Sequence, residues 1–314
     1  MSTENQTSNR VFLEKISSSD PAMQKQAIDA VNDFTRVTMR EDGYTRRILP
    51  PITISDDQLD RQVDTDKPVK IVDKEPGSPG AVMVPFATTP MGRYIRGPRY
   101  RVQFGRIQTP KFTKDVDELR TYHMDIRQVI SDNAIKDMLA EEDGKFMAAI
   151  NNVLVGRDIV IPETQAAQWQ GTASLITRTT LANSLKVMPQ TSSRLEVARA
   201  LVNNITIKDV LKWTRDEVGG DLAEDWVVNG FTAVKLMGVE FIITIKQDLV
   251  PTNSMFMFAE PKFLGKHYIL EDATMFMDRR AYMIEFFAYE SLGLSIGNIA
   301  AVARYDFDTD GNGS

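Results

Sequence analysis

The spacing of apolar residues changes character several times along the 314-residue chain. Met23, Ala27, Val31 and Phe34 recur at intervals of three and four, the stripe of a helix. Asp20-Pro21 would open it, with Asp20 as N-cap and proline at the first helical position. From Leu49 to Glu75 the pattern dissolves: Pro50-Pro51-Ile52-Thr53-Ile54 leads into a stretch carrying Asp56, Asp57, Asp60, Asp64, Asp66 and Asp73. Too few large apolar residues occur there to fold locally. The segment predicts an extended arm lying on its own body or on a neighbour.

Pro76-Gly77-Ser78-Pro79-Gly80 is a turn signal. Two strand-like pieces follow, Ala81 to Phe86 and Tyr100 to Phe104; in the second, Tyr100, Val102 and Phe104 alternate with Arg101 and Gln103. Asp117 to Ile126 could be the return strand across Pro110-Lys111, which makes roughly 90 to 126 a long hairpin with little core of its own. The clearest helix comes next. Ser131 or Asp132 can cap it, Ile135, Met138, Leu139, Phe146, Ile150, Val153 and Leu154 form its apolar face, and Gly156 ends it. Roughly 24 residues at about 1.5 Å each span about 36 Å, and Gly144 is a place for a bend. Ser193-Arg194-Leu195-Glu196 matches a capping box for a second helix, and Thr206 opens a third helical stretch through Val210, Leu211 and Trp213. From Lys235 strands dominate: 239–245, 255–258, 267–270, 281–289 and 299–307. No internal repeat is present.

Composition narrows the chemistry. The chain carries 37 basic and 43 acidic residues, a formal charge of −6, with 42% hydrophobic and 25% charged residues and no cysteine. That excludes a disulfide scaffold, a thiolate nucleophile, an iron–sulfur cluster and a cysteine zinc site. No apolar run reaches the length of a membrane helix, and Met1 to Arg10 has no apolar signal core, so a soluble cytoplasmic protein is expected. Gly265-Lys266 has Glu260 and His267 where a phosphate loop needs glycine and serine or threonine, and Gly293 and Gly297 lack the middle glycine of a dinucleotide motif. His123 and His267 sit on predicted strands and read as structural or surface residues. Glu141-Glu142 are adjacent on the long helix, a solvated face rather than an acid/base pair. Asp308, Asp310 and Asn312 open like a calcium loop, but Ser314 comes before the glutamate of its twelfth position, so residues 308–314 read as a flexible tail. The five methionines Met255, Met257, Met275, Met277 and Met283 read as core filling.

One charged feature stands out. Arg93, Arg96, Arg99, Arg101, Arg106, Lys111 and Lys114 precede any acid in the hairpin and are interleaved with Tyr94, Tyr100 and Phe104. This pattern suits nucleic-acid binding. The acidic arm before it favours the other reading, assembly between identical copies through opposite charge.

Arm, extended hairpin, long helix, mixed α/β region and closing strands are the order of the major capsid proteins of tailed phages, the Hong Kong 97-type fold. The ending resembles that family too: Ala288-Tyr289-Glu290-Ser291-Leu292-Gly293-Leu294-Ser295-Ile296-Gly297-Asn298, then Ala300 to Phe307, is a strand, a Gly-Asn turn and a strand ending in an aromatic. The resemblance implies an α+β fold with an N-terminal arm over 1–75, an E-loop region over 76–127, and a peripheral domain with its spine helix over 128–184. An axial domain over 185–280, closing strands of the axial and peripheral domains over 281–307, and the tail complete it. It further implies a non-enzymatic shell protein without cofactor or metal. Such a protein forms hexamers and pentamers around double-stranded DNA, without sequence-specific contacts. Portal, scaffold and decoration proteins are the expected partners; no membrane is involved, and the virion capsid, assembled in host cytoplasm, is the location. The short arm favours a separate scaffold protein, and no Lys–Asn cross-link pair is matched. The alternatives are an encapsulin-type compartment, against which the extended segment Leu49 to Glu75 counts, and a nucleic-acid binder using 93–114. Asp56, Asp57, Asp60 and the seven cations are the expected interface residues. Reversing Asp56, Asp57 and Asp60 to lysine should impair assembly while leaving the subunit folded, as read by size exclusion and circular dichroism; normal particles would refute the arm–hairpin pairing.

Overall fold

The structure, a computed structural model, describes residues 43–61, 65–77, 80–86, 89, 92, 94–121, 126–154, 167–170, 176–191, 193–212 and 234–307. The helix expected after Asp20, His123, Arg93 and the calcium-like tail lie outside these residues.

One long helix organises the rest. Helix α1 is Tyr44–Ile48, α2 is Val116–Thr121 and α3 is Ile126–Leu154, 29 residues long. The apolar face expected on α3 is present: Ala134, Ile135, Met138 and Leu139 are buried in its first half, and Phe146, Met147, Ile150 and Leu154 in its second. These halves serve different cores. The first packs with Ile107, Val116, Met275, Ile284, Phe286 and Ala288. The second joins the largest core, with Phe241, Phe256, Phe258, Leu201 and Tyr305. The helix begins before Ser131, so neither expected cap starts it.

Two sheets lie along this helix. The first contains strands β1 (Pro51–Thr53), β2 (Asp60–Arg61), β3 (Pro68–Asp73), β4 (Arg99–Gln108), β5 (Phe112–Asp115), β11 (Gly265–Arg280) and β12 (Met283–Ile296). Its order is β1-β11-β12-β4-β3-β2, with β5 also on β12. The second contains β6 (Ala167–Gln170), β7 (Arg199–Asn203), β8 (Val234–Leu236), β9 (Val239–Thr244), β10 (Ser254–Phe258) and β13 (Val302–Asp306), in the order β6-β13-β10-β7-β9-β8. Strand β10 is buried along its whole length, between β13 and β7. That is why Met255 to Phe258 reads as an unbroken apolar run rather than an alternation. Met255, Met257 and Met275 are buried, as core filling requires.

Several local signals lose to sheet pairing. The hairpin expected over 90–126 forms instead between β3 and β4, with Asp73 opposite Arg99 and Val69 opposite Gln103. Strand β5 pairs not with β4 but with β12, at Phe112 opposite Phe286, and the expected return strand from Asp117 is helix α2. The reason is length: β12 has 14 residues, enough edge for β4 at one end and β5 at the other. Residues 81–85 form no strand. The capping box at Ser193 opens no helix; Arg194 takes φ 49° and the chain runs into buried β7. Pairing of β7 with both β10 and β9 outweighs a cap worth about 1 kcal/mol. Helix α4 (Arg178–Val187) has its own cap, the Thr177 hydroxyl accepting from Thr180 N at 3.1 Å, and had no place in the sequence reading. The stretch from Thr206 is a 3-10 turn over Thr206–Lys212. The arm lies on its own body: β1 runs parallel to β11, with Ile52 opposite Tyr268.

The glycines that failed as nucleotide motifs make room for packing. A Cβ on Gly297 would sit 2.8 Å from the Tyr100 ring, and one on Gly293 3.0 Å from Phe104. Gly265 is the tightest, since a Cβ there would meet the Ser295 carbonyl oxygen at 2.2 Å across the β11–β12 pair. Gly265→Ala should therefore cost about 3 kcal/mol or more, whereas Gly77→Ala, with nothing within 4 Å, should be near neutral. Urea unfolding of the two variants checks the contrast.

Candidate functional site

The feature that projects from this fold is the connection between β3 and β4. Its base is zipped by the strand pair, by Lys74 N donating to Pro98 O at 2.8 Å and by an Arg99–Asp73 ion pair at 2.7 Å. Beyond that base the chain carries Pro76, Pro79, Pro85, Pro90 and Pro98 and the glycines 77, 80, 92 and 97. Proline removes ladder donors and glycine weakens strands, and the described residues between β3 and β4 form no strand. Its apolar side chains are exposed: Met83 and Phe86 completely, Tyr94 at 89%, Val82 at 76%, with Val84 and Ile95 about half. Burying each would be worth about 1.5–3 kcal/mol. A contiguous chain of exposed large apolar residues marks an interaction surface. Reading 81–86 as a strand-like piece missed this, although the density of proline and glycine on both sides was the available signal.

The charged residues separate into two sets. Arg96 and Arg101 are exposed on the loop and on β4, and Asp56 and Asp57 are exposed on a turn over Asp56–Gln58. Asp60, on β2, accepts from Ile71 N at 3.2 Å. Arg99, Arg106, Lys111 and Lys114 have partners in their own chain. The Arg106 guanidinium lies 4.6 Å from the Tyr289 ring centre, Lys111 is 3.2 Å from Glu285, and Lys114 is 3.5 Å from Glu118. The Arg99–Asp73 pair joins β4 to β3, so part of the arm–hairpin attraction is satisfied within the subunit.

The base of the arm is fixed by buried polar contacts that the sequence reading assigned elsewhere. Glu142 is not on a solvated face; only Glu141 is exposed. The Glu142 carboxylate accepts from Arg46 Nε at 3.0 and 3.2 Å, and Arg46 Nη2 donates to Glu290 Oε1 at 2.5 Å. Asp143 Oδ1 accepts from Thr45 N at 3.1 Å and from the Thr45 hydroxyl at 2.6 Å, and its Oδ2 meets Lys246 Nζ at 2.5 Å. Positions 142 and 143 continue the stripe four residues after Met138 and Leu139 and four before Phe146 and Met147; that spacing was the signal for their burial. Burial raises the pKa of Glu142 against the pull of Arg46. His267 is buried as a core residue, its pKa pushed down to about 4 by burial and by Arg46, with the Leu49 backbone acting the other way.

No protein-family model matches the chain, and none of the curated proteins matches it. Solved structures do. A Microbacterium phage Oxtober96 chain superposes with a TM-score of 0.58 at 10% identity, over 85% of this chain and 91% of its own. The virus-like particle from Pyrococcus furiosus gives 0.56 at 15% identity, over 89% and 99%. The capsid of the native GTA particle gives 0.56 at 14% identity, over 84% and 89%. The chain has the mixed α+β fold of these capsid structures.

The buried joint makes its own prediction. Arg46→Met leaves Glu142 and Glu290 together without a cation and should cost on the order of 3–5 kcal/mol. Replacing all three, Arg46→Met with Glu142→Leu and Glu290→Leu, should recover most of that loss in urea unfolding.

Proposed function

We propose that this chain is the major capsid protein of a tailed phage, a non-enzymatic subunit that closes into an icosahedral shell. The observation that carries the reading is the projecting loop, whose exposed Val82, Met83, Phe86 and Tyr94 have the composition of an interface. Its narrow zipped base reaches outward, so a neighbouring copy is the natural cover. The fold shared with capsid structures over most of the chain supports the same conclusion.

On this reading the arm is 1–75, the E-loop region 76–127, the peripheral domain with the spine helix 128–184, and the axial domain 185–280, with 281–307 closing both. Strand β3 forms one side of the hairpin that leads into the E-loop region. Subunits meet as hexamers and pentamers. Exposed Asp56, Asp57, Arg96 and Arg101 set register by charge. Individually weak contacts suffice because closing the lattice makes each further contact effectively intramolecular. The shell encloses double-stranded DNA without reading its sequence, within a virion assembled in host cytoplasm with portal, scaffold and decoration proteins. Among the described residues no helix is long and apolar enough to cross a membrane.

A second reading, an encapsulin-type compartment enclosing protein cargo, is favoured by the match to 99% of the virus-like particle chain. Particle contents separate the two, DNA or protein. A nucleic-acid binder would instead stay small and lose affinity steeply with salt. The central test is Met83→Asp with Phe86→Asp. Exposed positions tolerate the change, so the subunit should fold with unchanged circular dichroism yet form no closed shells by negative-stain microscopy. Normal shells from this variant would overturn the loop as the assembly element.

A further inference from the structure

The joint around Arg46 has an unequal number of charges. One guanidinium from α1 stands between the Glu142 carboxyl of α3 and the Glu290 carboxyl of β12, and all three side chains are at most 4% exposed. The neighbouring Asp143 does not change this balance, because Lys246 answers it. From β11, His267 Nε2 lies 3.8 Å from Glu142, and Asp272 adds a further negative field. One carboxyl is therefore in excess in a dry site, where an uncompensated charge costs several kcal/mol.

The contacts identify which one. Both Glu142 oxygens accept from Arg46. Glu290 uses Oε1 alone, and its buried Oε2 has no hydrogen-bond partner. A proton on Glu290 removes the excess charge while Oε1 still accepts from Arg46.

We propose that Glu290 is a proton-binding lock: it holds a proton while α1 is docked, and its ionisation loosens α1 from α3 and β12. This goes beyond the shell reading and does not rest on it, because every group belongs to one subunit.

Burial places the Glu290 pKa at about 7, with Arg46 pulling it down and Glu142 and Asp272 pushing it up. The folded value lies above the ordinary 4.5. The stabilisation from this group is therefore complete below that ordinary value and is lost as pH rises through about 7. His267 acts in the opposite sense. Its folded value of about 4 lies below the ordinary 6.5, so its contribution is present above 6.5 and lost as pH falls towards 4. Alkali is thus the direction that opens the lock through Glu290, and acid strains the same joint through His267.

Amide exchange of the full chain, corrected for intrinsic rates, tests this at Leu49 N, which donates to Thr45 O at 2.8 Å and reports docking of α1. Through Glu290 the protection of this amide should fall between pH 5 and pH 7, approaching about tenfold per unit, and level off above the folded value of about 7. Glu290→Gln, which keeps the Oε1 acceptor without a titrating proton, should flatten that dependence. An equal slope in wild type and Glu290→Gln between pH 5 and pH 7 would overturn the proposal. Should Glu290→Gln fail to fold, infrared spectroscopy of the wild type decides. A buried protonated carboxyl present at pH 6 and lost by pH 8, as protection levels off, supports the lock; no such band at pH 6 refutes it.

Discussion

The guanidinium of Arg46 joins parts of the chain that are far apart in sequence. It arrives on a five-residue helix, too short to be stable alone, and is bonded to the middle of the long helix and to β12. The long helix needs such a joint because its buried stripe is interrupted. Apolar residues serve one core up to Leu139 and another from Phe146, and between them Glu142 and Asp143 face inward. Buried carboxylates there are tolerable only with cations and donors in place. Arg46, Thr45 and Lys246 supply them, and in doing so fasten the start of the described chain to its centre.

From that fixed frame the first sheet extends outwards. The β11–β12 pair is stacked against the first half of the helix, and β4 runs along β12 before leaving it to pair with β3. Gly293 and Gly297 let Phe104 and Tyr100 lie close against β12. The hairpin therefore leaves the body from a rigid base. The loop beyond holds apolar side chains away from the core, an arrangement that costs nothing to a subunit whose neighbours cover it and invites aggregation in one that stays alone.

The buried joint and the projecting loop use opposite physics. In the joint a few groups interact strongly because water is excluded, so a single proton matters. On the loop the apolar side chains are exposed, and each could contribute only in proportion to the area it buries. On the shell reading proposed above both are needed: a subunit stiff enough to repeat one shape, and contacts weak enough to be corrected during growth.

The sequence by itself determined the elements whose side chains follow a strict period. The long helix, the alternation through Tyr100, Val102 and Phe104, and the apolar strands from 239 onwards were all legible, because burial on one face or on both writes itself into spacing. Their order was enough to indicate the fold. Pairing was not legible. Whether β5 joins β4 or β12, whether Ser193 opens a helix, and whether 81–86 forms a strand depend on partners distant in sequence or on the absence of one. The site divided in the same way. Its cations and acids were visible as composition, but only the tertiary structure decided that Arg99 meets Asp73, that Lys111 meets Glu285, and that Glu142 turns inward to Arg46. An ionic residue carries no sign of burial in its own type; the field and solvent around it come from distant segments, and those are set only when the chain has folded.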